Sequence, residues 1–161
     1  MRERALRMRL DTLGEQHAAT AVTLQSMGAA YGRMGSHDTA IMLYERALRI
    51  KKDTLGLHPL TAFTIQNMGT AYGNKRQNKK AIELFEQALR IYERTVGRMH
   101  RHAADAILCM STSYYNLGEL EKAEELGREA VAIREKTLGQ DHEETQIARD
   151  RLSKIQKAKG R

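Results

Sequence analysis

From residue 18 onward the apolar positions step by three and four. Leu24, Met27, Gly28 and Tyr31 share one helical face, and so do Ala40, Ile41, Tyr44, Ala47 and Leu48. This is the period of an amphipathic helix, not the alternation of a strand. Short polar breaks containing glycine divide the runs: Arg33-Met34-Gly35-Ser36, and later Asn116-Leu117-Gly118-Glu119. The spacing predicts antiparallel helix pairs, with first helices near 18–33, 60–74 and 102–116 and second helices near 37–53, 78–95 and 120–137. Residues 1–12 read as a leading second helix and 142–158 as a closing first helix.

The pattern recurs along the chain. Thr12-Leu13-Gly14, Thr54-Leu55-Gly56, Thr95-Val96-Gly97 and Thr137-Leu138-Gly139 align, with the glycines 42, 41 and 42 residues apart. A histidine follows each: His17, His58, His100 and His142. Between them Met27-Gly28-x-x-Tyr31 returns as Met68-Gly69-x-x-Tyr72 and as Met110-Ser111-x-x-Tyr114. Nine residues past each Tyr stand Ala40, Ala81 and Ala123, and seven further on Ala47, Ala88 and Ala130. A fixed period with two helices per copy is the mark of a solenoid. Small residues at Gly28, Ala40 and Ala47 let helices approach closely, and Tyr31 and Tyr44 fill the space beside them. The Leu-Gly pair reads as a helix stop, glycine supplying a left-handed cap over Leu55 or Leu138. His58-Pro59 then opens the next helix, because Pro is acceptable in a first turn.

These residues resemble the tetratricopeptide repeat in its 42-residue form, the kinesin light chain and nephrocystin-3-like type. The resemblance is carried by Gly28, Tyr31, Gly35, Ala40, Tyr44 and Ala47, by Gly69, Tyr72, Ala81, Phe85 and Ala88, and by Tyr114, Gly118, Ala123 and Ala130. The connector Leu-Gly-x-x-His at 13–17 and 138–142 matches the same type. It implies an all-α, right-handed superhelical solenoid forming a single domain over 1–161: a leading second helix 1–13, repeats 14–55, 56–96 and 97–138, and a closing helix with a basic tail 139–161. The chain opens inside a half-repeat, which reads as a piece of a longer array. Gly127 departs from the pattern, standing where Tyr44 and Phe85 stand, so the third repeat is expected to lack a large core side chain and Gly127→Phe to be tolerated. Glu124 replaces Ile41 and Ile82, and His37 and Asn78 sit where an apolar residue such as Leu120 is expected.

In this family the first helices line the concave side, so the face opposite each Met/Gly/Tyr stripe is expected to point into a groove. On the first helix this face offers Val22, Gln25, Ser26, Ala29 and Arg33; on the second, Phe63, Gln66, Asn67, Thr70 and Asn74. The third offers Asp105, Leu108, Cys109, Thr112, Tyr115 and Asn116. Amides such as Gln66 and Asn67 can both donate to and accept from an extended peptide backbone, while Phe63, Leu108 and Tyr115 can hold apolar side chains. Some members of the family clamp a C-terminal carboxylate with Lys, Asn and Arg at these positions. Here the matching residues are Gln25, Ala29, Asn67, Asp105 and Cys109, of which only Asn67 fits, so no such clamp is expected.

Composition removes most other classes. Of 161 residues, 41% are hydrophobic and 29% charged, which suits a globular chain. A single Cys allows no internal disulfide, and no apolar run reaches the length of a membrane helix, so a cytoplasmic protein without membrane insertion is expected. The formal charge of +7 is spread along the chain, the exception being Arg151, Lys154, Lys157, Lys159 and Arg161, which have no acid among them. Nucleic acid is disfavoured as a partner: single-strand binders need exposed aromatics, and of eight aromatic residues most are assigned to packing. The connector histidines recur one per repeat, too far apart to ligate one ion, and read as local backbone partners. Cys109 lacks a His/Asn context, and no phosphate loop or dinucleotide fingerprint occurs. The expectation is therefore a non-enzymatic adaptor or scaffold, without metal or cofactor, holding a peptide segment of a protein partner in the concave groove as a kinesin light chain-like cargo adaptor does. The alternative is a self-associating solenoid that stacks through open ends carrying Met8, Leu10 and Ile155.

Overall fold

The computed structural model describes residues 2–13 and 17–160. The described residues form eight α-helices and no strand: α1 (Arg2–Leu13), α2 (Ala18–Arg33), α3 (His37–Leu55), α4 (Pro59–Asn74), α5 (Asn78–Thr95), α6 (Arg101–Asn116), α7 (Leu120–Leu138) and α8 (Glu143–Lys159). The connector at Gly14 and the side chain of Leu10 lie outside the described residues. Each helix packs on the next in sequence. In addition α2 touches α4, α4 touches α6 and α6 touches α8, whereas α3, α5 and α7 do not meet one another among the described residues. The first helices therefore crowd together on the inner side of a curved stack and the second helices fan out on the outer side.

Close approach within each pair depends on glycine opposite an aromatic ring. A Cβ placed on Gly28 would lie 2.8 Å from Tyr44 Cε1, and one on Gly69 would lie 2.7 Å from Phe85 Cε1. One turn on, Gly32 faces Ala40 and Gly73 faces Ala81, each 3.8 Å from the alanine Cβ. The third pair reverses the arrangement. Ser111 replaces the glycine, and its hydroxyl donates to the Ala123 carbonyl at 2.6 Å. Gly127 replaces the aromatic, and the space is not empty: Leu152 and Ile155 of α8 come within 3.2 and 3.8 Å of a Cβ built there. The expected gap at Gly127 is thus corrected, because the closing helix supplies the missing volume. Ile155 is correspondingly buried, 3% exposed, and does not lie on an open end. Met8, at 63%, is exposed. Glu124, in place of isoleucine, accepts from Lys159, Arg128 and Gln156. Those bonds, Lys159 foremost, hold its carboxyl at about 2, well below the usual carboxylate range, and tie the end of α8 to α7.

The turn inside each pair has one geometry. The backbone N–H of Ser36, Gln77 and Glu119 donates to the carbonyl of Tyr31, Tyr72 and Tyr114 at 2.9, 3.0 and 3.0 Å. This six-to-one bond closes a helix when the preceding residue takes a left-handed conformation. Gly35 and Gly118 do so with φ of 82° and 80°, but the middle repeat uses Arg76 at φ 60°. A Cβ is strained there, so Arg76→Gly should stabilise the protein by about 0.5–1 kcal/mol, and Gly118→Arg should cost a similar amount. Paired denaturant titrations check both, and a destabilised Arg76→Gly protein would contradict the strain.

Candidate functional site

The start of every first helix is set by a connector histidine. His17, His58, His100 and His142 are N-caps whose Nδ1 accepts the backbone N–H two residues on, at 3.1, 3.1, 3.3 and 3.2 Å. Each bond satisfies one of the orphan donors of a helix N-terminus. The histidines serve the fold, and the helices they start form the floor of the inner face.

Three linked concavities run along that face. The first, about 270 Å³, is bordered by Ala29, Arg33, Asn67, Thr70 and Asn74. The second, about 210 Å³, shares Thr70 and Asn74 and adds Cys109, Thr112 and Asn116. The third, about 240 Å³, shares Thr112 and Asn116 and adds Tyr115. Beyond it a wider hollow of about 420 Å³ opens between Tyr115 and α8. The lining sets polar side chains in a mostly apolar surface, and their hydrogen-bonding capacity is uneven. Thr70 and Thr112 spend their hydroxyl protons on the carbonyls of Gln66 and Leu108, at 3.2 and 3.0 Å, so they offer only lone pairs to the groove. Asn116 Nδ2 donates to Asn78 Oδ1 at 3.4 Å. Burial pushes the Cys109 thiol up to about 11, so it stays protonated at neutral pH and is a poor nucleophile.

Other expected lining residues are placed elsewhere. Gln66 and Leu108 are 8% and 3% exposed and belong to the helix interface, which corrects their assignment to the groove wall. Leu108 joins the hydrophobic core, and Gln66 is covered from a position near the end of each second helix, occupied in turn by Lys51, Tyr92 and Arg134, all buried. Its polar head reaches back into its own repeat and onto the next. Lys51 Nζ donates to Gln25, to Thr64 Oγ1 at 2.9 Å and to the Leu60 carbonyl at 3.2 Å. Tyr92 donates to Gln66 Oε1 at 3.1 Å and stacks on His102 with ring centroids 5.8 Å apart. Arg134 pairs with Asp105 and donates to the Glu144 carbonyl at 2.6 Å. Gln25 and Asp105 are thus engaged in stitching repeats together. Phe63 is half-buried with its ring 6.1 Å from that of His102. Ser26 is exposed, its carbonyl accepting from Arg2 at 3.2 Å.

Residues not assigned to the groove from sequence also line it. His37 borders the first concavity and Asn78 the second; both were polar where the repeat wants an apolar residue, and that was the available signal. The closing helix adds Arg151, whose guanidinium lies 3.4 Å from Thr112 Oγ1, and Lys154, whose ammonium lies 5.3 Å from the centre of the Tyr115 ring. Around the turn between α4 and α5 the basic residues Lys75 and Lys80 are paired with Asp38 and Glu83. No helix among the described residues is long and apolar enough to cross a membrane.

Tetratricopeptide repeat family models match residues 1–53, 61–102 and 103–144. No curated protein matches the chain in sequence. Among solved structures, nearly identical TPR-like repeats of a kinesin light chain candidate from Podosopora anserina superpose with TM-scores of 0.81 and 0.79, at 25% identity over 99% of this chain and 76% of that one. BtubC (BKLC) from P. vanneervenii gives a TM-score of 0.86 at 22% identity over 99% of this chain and 64% of that one. The first TPR of Spaghetti, solved with an HSP90 peptide, gives 0.65 at 19% identity over 90% and 97%.

Proposed function

Because the chain belongs to the tetratricopeptide repeat family and is of the kinesin light chain-like type, we propose that it is a non-enzymatic adaptor that holds an extended segment of a partner protein in its inner groove, in the manner of a cargo adaptor acting in the cytoplasm. One observation carries the reading. The three concavities share residues from one to the next, so a single channel runs past Arg33, Asn67, Asn74, Asn116 and Arg151. An extended peptide needs a donor or acceptor about every residue, and amides supply both. The hydroxyls of Thr70 and Thr112 add acceptors for peptide N–H groups. That the Spaghetti domain was solved with an HSP90 peptide supports a peptide as the kind of ligand this fold takes.

Asn67 is the mid-channel test. It is half-buried and borders the first concavity, where any segment threading the channel passes it. Affinity capture with the purified chain supplies the partner segment, which is then titrated against variants. Asn67→Ala should weaken binding roughly tenfold, the scale of about 1–3 kcal/mol for stranding a buried polar group, with helicity and melting unchanged. Replacing Lys79 and Lys80, on the outer helix α5, should alter little beyond a salt-dependent on-rate. Loss of binding in the lysine variant with none in Asn67→Ala would overturn the groove reading.

A further inference from the structure

Among the described residues the same cleft occurs twice on the outer side of the stack, and only one copy is closed. It lies between the end of one second helix, the connector after it and the following second helix. At the later junction it is clasped. Arg98, directly after Gly97, pairs with Glu93 behind it and forks onto Glu129 ahead of it, at 2.5 and 3.0 Å. The repeat places Lys52, Leu57 and Gln87 at the three equivalent positions of the earlier junction. No clasp can form from these residues, and a cleft of about 380 Å³ is left open. Its floor is Ile65 and half-buried Ile91, and Leu57 stands at its edge 54% exposed. Lys52, Arg90 and Arg94 surround it, exposed and without a hydrogen-bond or ion-pair partner among the described residues. Glu93, also on its border, is already held by Arg98.

We propose that this open junction is a second docking site, separate from the groove, for an acidic partner segment that inserts one aliphatic side chain against Leu57 and Ile91 and sets carboxylates against Lys52, Arg90 and Arg94. Three unmatched cations around an apolar floor select that chemistry: burial of an aliphatic group supplies affinity, and the charges select acidic flanks and speed encounter. No aromatic side chain borders the cleft to stack a base, which disfavours a nucleic acid. The clasped junction shows what fills this geometry from within: a side chain crossing it with opposite charges at both ends.

The probe is a labelled peptide of repeated Glu-Glu-Leu, followed by fluorescence anisotropy. It should bind at least tenfold more tightly than a leucine-free polyglutamate or a Lys-Lys-Leu counterpart. Transplanting the clasp with Lys52→Glu, Leu57→Arg and Gln87→Glu should weaken it at least tenfold without lowering the melting temperature. Arg90→Glu with Arg94→Glu, at exposed positions, should do the same, while Asn67→Ala leaves binding unchanged. Absence of binding to the parent chain, equal binding by the transplanted variant, or loss of binding in Asn67→Ala overturns the proposal. A concentration-dependent dimer in light scattering that the transplanted variant abolishes assigns the cleft to a second copy of the chain and overturns it as well.

Discussion

Gly127→Phe is expected to destabilise the protein by about 3 kcal/mol or more, as overpacking of a filled core does at its upper end. From the repeat alone the substitution restores the aromatic found as Tyr44 and Phe85. In the structure no room exists for it. A single Cβ at this site already lies 3.2 Å from Leu152 Cδ1 and 3.3 Å from Ser111 Oγ, distances at which a neighbour must give way before any ring is added. Interiors are packed at crystal-like density, so a ring can enter only by displacing α8 or breaking the Ser111 to Ala123 bond. Pairing the change with Ser111→Gly, which recreates the Gly–aromatic pair of the other repeats, should not rescue it, because Leu152 and Ile155 remain. A loss of this size lowers the melting temperature by roughly 6–12 °C for a domain of this length. An unchanged melting temperature would mean that α8 does not occupy the site.

Lys51→Met is expected to stabilise the protein at neutral pH by about 1–3 kcal/mol and to remove a pH dependence. Lys51 is 3% exposed, and burial pushes its ammonium down to about 8 from 10.5. Below pH 8 folding must bury the charge. Between about 8 and 10.5 the unfolded chain holds a proton that the native state has released, so stability rises with pH across that window. The shift corresponds to at most about 3 kcal/mol. Other groups act oppositely: burial raises the Cys109 thiol from 9.0 to about 11 and raises the Tyr92 and Tyr44 phenols, so each costs stability as pH rises past its unfolded value. The comparison with the methionine variant isolates the lysine, since both proteins retain Cys109, Tyr92 and Tyr44. Gln25 Oε1 keeps a donor after the change, Thr64 Oγ1 at 2.7 Å. The stability difference should be largest near pH 7 and shrink toward pH 10. A difference independent of pH would place the ammonium in contact with water.

Local chemistry made the helices legible. Apolar spacing of three and four, glycines at the turns and a His cap before each first helix act over a few residues. The expected boundaries accordingly fall within two residues of those observed for all eight helices. The repeat period carried the pairing, because equivalent positions must make equivalent contacts in a stack. The inner-face positions, Asn67, Thr70 and Asn116 among them, followed from helix geometry together with the family resemblance, which implies that the first helices line the concave side. How far a neighbouring helix covers that face did not. Gln66 is buried under the Tyr92 hydroxyl, which reaches it from the end of the second helix across 26 residues of sequence, and Leu108 is buried in the hydrophobic core. The filling of Gly127 by Leu152 and Ile155, and the clasp at one junction beside the open cleft at the other, likewise depend on side chains far apart in the chain. The sequence by itself determined the eight helices, their pairing and their faces, since those depend on interactions within one turn or one period; the tertiary structure alone decided which faces remain open, since that depends on the volume and charge of residues brought together from different repeats.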